Sequence, residues 1–208
     1  MNAIVLGMHR SGTSALTRCI NLLGCRLGDE LLRPSEFNPA GYFEQKRAVA
    51  INDAILETQG LAWNSLQPIE TSIPLPEELQ AGISDFVDCL PPSFVLKDPR
   101  PCRTLPYWKP ALTRREPNRY ILIKRRPEAV AQSLLARDSI ELQDARRLRE
   151  IYVQEAVAAT VDEQKIEITF GTLLAEPVAT LEEIRDFLEL DVDVSRAVAS
   201  LDAQLVHY

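Results

Sequence analysis

The chain has 208 residues, a length that suits one α/β domain spanning residues 1–208 rather than two domains. Hydrophobic residues make up 46% of the sequence and charged residues 25%, which is ordinary globular composition and excludes disorder as the main property of the chain. The formal net charge of -7 argues against general nucleic-acid binding. No stretch approaches the roughly 20 apolar residues of a membrane span, so we expect a soluble, cytoplasmic protein.

The hydrophobic pattern predicts strands that alternate with helices. In chain order we expect a strand at 3–6, a helix at 11–23, a loop at 34–41, helices at 45–59 and 77–89, strands at 94–96 and 120–123, helices at 128–137 and 142–161, a strand at 165–170 and a helix at 181–188. This order predicts a three-layer, P-loop-like α/β fold with a central parallel sheet of about four to five strands flanked by helices. Ligands of such sheets bind at the carboxyl ends of the strands.

Positive charge is concentrated in residues 97–126, which carry ten Lys or Arg and only two acidic residues. A basic segment in an acidic protein favours a small polyanionic ligand bound locally, although a solvated basic face would give the same pattern. The four cysteines, at positions 19, 25, 89 and 102, form no C-x-x-C pair and have no companion histidine cluster. The sequence therefore predicts neither a metal site nor a disulfide framework.

The loop after the first strand reads Gly-Met-His-Arg-Ser-Gly-Thr-Ser at residues 7–14, with the glycine spacing of a Walker A loop. Backbone N–H groups in such a loop can surround a phosphate. Thr13 stands where the Walker lysine should follow the second glycine, which weakens a kinase or ATPase interpretation. The cation is instead Arg10, whose guanidinium could bridge oxygens on the 5′ side of a nucleotide. A helix-capping loop with Ser11 as the N-cap is the alternative.

This loop resembles the 5′-phosphosulfate loop of the sulfotransferase superfamily, in which a basic residue precedes Ser-Gly-Thr-Thr/Ser. The matching residues here are Arg10, Ser11, Gly12, Thr13 and Ser14. The resemblance implies that these five residues bind 3′-phosphoadenosine 5′-phosphosulfate (PAPS) as cosubstrate. It also implies that adenosine 3′,5′-bisphosphate (PAP) is the product.

A second pair of residues lies at the next strand-to-helix junction, where Ser133 follows Arg125 by eight positions. This spacing can bring a strand-end arginine and a helix hydroxyl toward one anion. It is similar to the family's 3′-phosphate site, an arginine at a strand end with a proline two residues later and a serine eight residues later. An exposed helix serine is the alternative for Ser133.

Two further segments resemble elements of bacterial sulfotransferases. Residues 97–100 read Lys-Asp-Pro-Arg, and in the bacterial proteins this lysine faces the sulfuryl group. Residues 38–44 read Asn-Pro-Ala-Gly-Tyr-Phe-Glu and resemble an Asn-Pro-x-Gly-Tyr-Phe/Trp-Glu element of the same group. For Asp98 the alternative is a turn in which its carboxylate bonds nearby backbone. Residues 173–188 fit the family's closing segment.

The chain also departs from the family pattern. Its closing segment begins Phe-Gly-Thr-Leu at residues 170–173 where Tyr-Glu-Asp-Leu is usual, so Phe170 could only stack on the adenine. No Arg-Lys-Gly loop, which caps the nucleotide in the eukaryotic cytosolic branch, is visible before Tyr208, and the chain is short for the family. We therefore expect an acceptor pocket that is open, or is completed by another subunit or a large acceptor. Trp63 and Trp108 could stack on the adenine or the acceptor, but we expect them in the core or at the rim, and His207 at a frayed terminus.

In-line sulfuryl transfer needs cations to offset charge on the transferred group and a base for the acceptor proton. Arg10 and Lys97 could supply that charge without a metal. Glu44 is the first candidate for the base, because several sulfotransferases that modify sugars or proteins carry a glutamate on this loop. Asp98 and His9 are the other candidates, although a loop histidine more often simply packs.

The acceptor would be a hydroxyl or amine of a small molecule, sugar or lipid, and a homo-oligomer is left open. The enzyme alternative is a degenerate P-loop kinase for nucleotides or small molecules, which predicts Mg²⁺-dependent ATP binding. A non-catalytic nucleotide-binding protein would instead bind PAP without turnover. Arg125 separates the sulfotransferase interpretation from the kinase interpretation, because a kinase does not need a 3′-phosphate site there.

Overall fold

A computed structural model describes residues 1–201 of the chain, so His207 lies outside the described residues. Its centre is a parallel four-stranded sheet in the order β2-β1-β3-β4. The strands are β1 Asn2–Leu6, β2 Val95–Lys97, β3 Asn118–Lys124 and β4 Lys165–Thr169. Short runs of apolar, mostly branched residues form the inner strands because helices cover both faces of the sheet.

Helices follow or precede each strand in the described part of the chain. They are α1 Thr13–Leu22, α2 Lys46–Glu57, α3 Glu77–Asp88, α4 Pro101–Thr113, α5 Pro127–Asp138, α6 Leu142–Ala159, α7 Phe170–Ala175, α8 Pro177–Phe187 and α9 Ser195–Ala199. None of the helices within residues 1–201 combines the length and the apolar character needed to cross a membrane.

Side chains of β1 alternate between two hydrophobic cores, one on each face of the sheet. Ile4 and Leu6 belong to the core that contains Trp108 of α4. Val5 belongs to the other core, which contains Leu16 of α1. Because neighbouring residues of a strand point to opposite faces, the single sheet separates two helical layers. The predicted three-layer α/β fold with a central parallel sheet is confirmed.

The strand register brings the carboxyl ends of the strands to one edge. Val5 of β1 pairs with Lys97 of β2, and Leu6 pairs with Leu122 of β3. The loop that leaves β1 therefore begins beside Lys97 and close to the end of β3 at Lys124. Parallel pairing therefore brings three segments that are far apart in sequence to one edge of the sheet: the loop after β1, the end of β2 and the end of β3.

Helix α4 was not predicted, because Pro101, Pro106 and Pro110 interrupt its sequence. Pro101 occupies the first turn, where a missing N–H costs little. The other two prolines lie inside the helix and each removes one backbone hydrogen bond. The helix nevertheless forms with Leu105 and Trp108 fully buried against the sheet, which shows packing outweighing propensity.

Other boundaries differ by a few residues. The strand expected to run to 170 ends at Thr169, whose side chain caps α7 by accepting a hydrogen bond from the Thr172 N–H. Phe170 is therefore the first residue of a helix rather than the last of a strand. The helix expected at 181–188 begins earlier, at Pro177, a residue suited to a first turn.

Candidate functional site

A cavity of about 300 Å³ lies at the carboxyl ends of β1, β2 and β3. Two acidic residues, Glu44 and Asp138, line it. Its cationic lining residues are Arg10, Arg18, Lys97, Arg100, Arg125 and Arg137. An excess of positive charge in a concave site favours a polyanionic ligand. The basic segment of the sequence thus contributes to a cavity rather than only to a solvated face.

The N-terminus of α1 opens into this cavity with Gly12 as its N-cap. Gly12 has a φ of 90°, and no side chain of the described residues caps the helix. Its first turn also contains no acidic residue. The capping role considered for Ser11 is therefore wrong; the Ser11 Oγ is buried without a hydrogen-bond partner among residues 1–201. An uncapped helix N-terminus leaves backbone N–H groups available to an anion.

Phe170 fixes the shape of this loop from the side of α7. A Cβ on Gly12 would lie 2.2 Å from Cδ2 of the Phe170 ring, so only glycine fits. Phe170 is buried, and the guanidinium carbon of Arg125 lies 5.3 Å from the centre of its ring. The ring therefore packs between Gly12 and Arg125. It also lines the cavity.

Arg10, Arg125 and Ser133 are brought together although they come from two motifs. The Arg10 Nε donates to the Ser133 Oγ at 2.7 Å. The Arg125 Nη1 donates to the Arg10 carbonyl at 3.0 Å. Ser133 is only 5% exposed, so the alternative of an exposed helix serine is wrong. The structure joins the predicted 5′ and 3′ anion sites through one guanidinium.

Burial lowers the pKa of both arginines. For Arg10 the neighbouring Arg137 adds to this shift, whereas Tyr42 and Asp138 oppose it. For Arg125 the positive charges of Arg10 and Arg126 add to it. A lowered arginine pKa means that burial and nearby positive charge disfavour the charged form, so an anion close to these guanidinium groups would be favourable.

The Lys97 ammonium contacts the first turn of α1 through Ser14. Its Nζ donates to Glu44 Oε1 at 2.5 Å, to the Tyr42 carbonyl at 3.0 Å and to Ser14 Oγ at 3.1 Å. Lys97 and Glu44 are 3% and 5% exposed. Burial raises the pKa of Glu44 above its ordinary value, and the Lys97 ammonium opposes that rise. The predicted sulfuryl-facing lysine and the first candidate base thus form a buried ion pair.

Asp98 adopts the turn that was its alternative interpretation. It is fully buried, and its Oδ1 accepts hydrogen bonds from the backbone N–H and Nη1 of Arg100. Its Oδ2 accepts a hydrogen bond from Asn52, whose own carbonyl oxygen accepts from Thr104 and Trp108. Both carboxylate oxygens are therefore engaged, Oδ1 by Arg100, which lines the cavity, and Oδ2 by Asn52.

His9, in the loop after β1, packs against two aromatic residues. Its ring centre is 4.6 Å from that of Trp63 and 5.9 Å from that of Tyr152. Its Nε2 is buried and has no hydrogen-bond partner in the described part of the chain. Burial, together with the positive charges of Arg100, Arg137, Lys97 and Arg10, holds the pKa of His9 well below 6.5. The imidazole is therefore neutral near pH 7, and His9 is one of the residues that line the cavity.

The sequence did not identify Arg137 as a site residue, and it left Trp63 between a stacking role and the core or rim; both line the cavity. The Arg137 guanidinium carbon lies 5.5 Å from the centre of the Trp63 ring, and its Nε donates to Asp138. Arg137 is four positions after Ser133 in α5, so helical spacing would have placed both on one face. Trp63 carries no comparable signal, because it lies in the long connection between α2 and α3. Trp108, by contrast, is a core residue.

Comparison with known proteins gives a structural likeness but no sequence match. Neither a protein-family model nor a curated protein matches the chain. A sulfotransferase domain from the curacin biosynthetic pathway is similar with a TM-score of 0.61 and 15% identity, over 97% of this chain and 78% of that domain. A sulfotransferase domain from the Synechococcus PCC 7002 olefin synthase gives a TM-score of 0.52 and 18% identity, over 99% and 78%.

Retinol dehydratase, in a complex with retinol and PAP, gives a TM-score of 0.53 and 17% identity. The match covers 98% of this chain and 65% of the dehydratase. At this level of identity the likeness establishes the fold. The chain has the fold of the sulfotransferase superfamily that its motifs resemble.

Proposed function

We propose that this protein is a PAPS-dependent sulfotransferase that moves a sulfuryl group to a hydroxyl or amine acceptor by in-line displacement. One observation carries the proposal: the hydrogen bond from Arg10 to Ser133, with Arg125 bonded to the Arg10 carbonyl, brings together the two motifs predicted to bind anions. A nucleotide with phosphates at both its 3′ and 5′ positions needs two anion-binding sites. The sulfotransferase fold and the PAP in the retinol dehydratase complex support the same ligand class.

Different residues would hold the 3′-phosphate, the 5′-phosphosulfate and the adenine of PAPS. Arg125, Ser133 and the Arg10 guanidinium would receive the 3′-phosphate, with charge-assisted hydrogen bonds. The backbone of Gly12, Thr13 and Ser14 at the uncapped start of α1 would receive the 5′-phosphosulfate. The buried Ser11 Oγ has no other partner within residues 1–201 and could turn toward the same group. Phe170 and Arg18 line the cavity where the adenine could stack.

The cosubstrate supplies an activated sulfuryl group, and the protein supplies charge and a proton acceptor. Lys97 is next to Ser14 and would offset negative charge on the sulfuryl oxygens, a form of electrostatic stabilisation. Glu44 contacts Lys97 and lines the cavity, so it is our first assignment as the base. Its raised pKa favours proton uptake from an acceptor near neutral pH.

His9 is the second candidate for the base, because it lines the cavity and its buried Nε2 has no hydrogen-bond partner within residues 1–201. Asp98 is not assigned this role, since both of its oxygens are already hydrogen-bonded. A general base contributes roughly 10²- to 10⁴-fold to the rate. PAP release from PAPS with a panel of phenol, sugar and lipid-alcohol acceptors should fall by that amount in Glu44→Gln if Glu44 is the base. A larger loss in His9→Gln than in Glu44→Gln would transfer the role to His9.

The acceptor would lie against the remaining wall of the cavity. That wall is largely apolar and aromatic, formed by Leu32, Phe37, Phe43 and Trp63. Such a surface accommodates the flat or apolar part of a small molecule, or the face of a sugar ring. We therefore propose that the acceptor is a small molecule, a sugar or a lipid.

The decisive experiment is calorimetric titration with PAP and, separately, with ATP plus Mg²⁺. Wild-type protein should bind PAP without added metal, and Arg125→Ala should weaken this binding about 10- to 100-fold through loss of hydrogen bonds to a charged group. Arg126→Ala is the matched control, because Arg126 is the adjacent but exposed arginine. A preference for Mg²⁺-ATP over PAP would favour the kinase alternative. Tight PAP binding without PAPS turnover on any acceptor would favour the non-catalytic alternative.

A further inference from the structure

The Lys97 ammonium has no hydrogen left to donate. An ammonium carries three N–H bonds. Lys97 directs them to the Glu44 carboxylate, the Tyr42 carbonyl and the Ser14 hydroxyl, all within 3.1 Å. Any new acceptor that binds Lys97 must therefore share or replace one of these three partners.

Ser14 places that ammonium at the predicted phosphosulfate loop. The Ser14 Oγ receives hydrogen bonds from Lys97 and from the Asn38 amide, and donates to the Tyr42 carbonyl. This network holds the loop after β1 against the 38–44 segment and the end of β2. A sulfuryl group at the loop would bring negatively charged oxygens, which only accept hydrogen bonds, within reach of Lys97.

Of the three present partners, only Glu44 carries negative charge. A second anion beside the same ammonium weakens the existing ion pair, because one positive charge is then divided between two negative ones. Glu44 is 5% exposed, so hydrogen bonds from water cannot replace the weakened contact with Lys97. Weaker contact with Lys97 increases the affinity of a buried carboxylate for a proton.

Resting on the proposed function, we propose that the sulfuryl group of PAPS competes with Glu44 for the Lys97 ammonium. Glu44 is consequently a weaker proton acceptor in the empty site and in the PAP complex than when the sulfated nucleotide is bound. The Lys97–Glu44 pair therefore makes removal of the acceptor proton depend on the presence of the sulfuryl group.

The pair also affects how the site distinguishes PAPS from PAP, which lacks the sulfuryl group. Removing the charge of Glu44 frees Lys97 for the sulfuryl oxygens. In Glu44→Gln we expect the affinity for PAPS to rise about tenfold relative to that for PAP, the value of roughly one charge-assisted hydrogen bond. The measurement is calorimetric affinity for each nucleotide, without an acceptor.

Simple repulsion between Glu44 and the sulfuryl group would give a similar gain, so the test needs a Lys97→Met background. If Lys97 mediates the effect, Glu44→Gln should not change the PAPS-to-PAP affinity ratio in Lys97→Met. An equal gain with and without Lys97, or no gain in Glu44→Gln, would overturn the proposal. Failure of wild-type protein to bind PAP would instead contradict the proposed function.

A second measurement does not depend on the folding of Lys97→Met. As pH falls and Glu44 takes up a proton, Lys97 is released, so the PAPS-to-PAP affinity ratio should rise in wild-type protein more than in Glu44→Gln. Lys97, Asp98 and Arg100 are the charged groups that act on Glu44, and all are retained in Glu44→Gln. The variant thereby also corrects for titration of the nucleotides themselves. The same pH dependence in both proteins would contradict the proposal.

Discussion

Arg10 donates a hydrogen bond from its Nε to the Ser133 Oγ across 2.7 Å, although the two residues are 123 positions apart. Arg10 has a φ of 67°, in the left-handed region that residues with a Cβ adopt rarely. Its carbonyl accepts from Arg125, and its Nη1 donates to the Phe37 carbonyl. Arg10 thus connects the loop at residues 7–14 with the end of β3, with helix α5 and with Phe37, the residue just before the 38–44 segment.

Ser133→Ala should weaken PAP binding about five- to tenfold, because one hydrogen bond to a charged phosphate is lost. Adenosine 5′-phosphosulfate has no 3′-phosphate, so its affinity should remain unchanged. Calorimetry with both nucleotides checks this, with Gln132→Ala, an exposed neighbour on the same helix, as the control. Equal weakening for both ligands would show that Ser133 supports the loop rather than a 3′-phosphate.

Gly12→Ala should cost at least about 2 kcal/mol more free energy of unfolding than Gly60→Ala, on the scale of overpacking. Both glycines have positive φ, 90° and 67°, so both substitutions introduce backbone strain. Only at Gly12 would the new Cβ meet a ring, 2.2 Å from Phe170, whereas nothing lies within 4 Å at Gly60. Urea unfolding measures the difference. Equal losses would mean that Phe170 moves aside easily.

Lys97→Met should destabilise the protein by about 3 kcal/mol at pH 8, because it leaves a buried carboxylate without its partner. The folded-state pKa of Glu44 is raised by burial and would rise further without Lys97. A carboxyl whose pKa is raised on folding lowers stability as pH rises above its unfolded value, so the loss should be smaller at pH 5.

The matched control for that change is Lys109→Met. Lys109 pairs with Glu163 at 2.7 Å, but both side chains are about one-third exposed. An exposed pair contributes about 0–1 kcal/mol, so this variant should show a small and nearly pH-independent effect. Urea unfolding of both variants at the two pH values tests the contrast. A similar loss in both would argue that the Lys97 pair is not shielded from water.

His9→Gln should flatten the loss of stability on acidification. The pKa of His9 lies well below 6.5 in the folded protein, so the unfolded chain binds a proton first as pH falls. Stability is therefore fully retained above pH 6.5 and declines as pH falls from there toward the folded pKa. Unfolding free energies measured from pH 7.5 to 5 should decline less in the variant. An unchanged slope would place His9 in a less buried, less cationic setting.

The inner strands could be predicted from local sequence patterns. Ala3 to Leu6 and Tyr120 to Ile123 are apolar runs that can be buried only between two helical layers, and both form inner strands. Helix α4 could not be predicted, because its internal prolines oppose a helix that tertiary packing stabilises. Ser133 could be named but not distinguished from an exposed serine, since its burial depends on Arg10 from another segment.

The sequence by itself determined the parallel α/β fold, the position of the glycine-containing loop at residues 7–14 and the identity of Arg10, Lys97, Arg125 and Glu44 as candidates, because residue type and spacing are local properties. The tertiary structure decided their partners. It paired Lys97 with Glu44, turned Asp98 toward Arg100, and left the His9 Nε2 unpaired within the described residues. Hydrogen bonds and pKa shifts depend on burial and on charges brought close by parallel strand pairing, and those distances are not encoded in any single stretch of the chain.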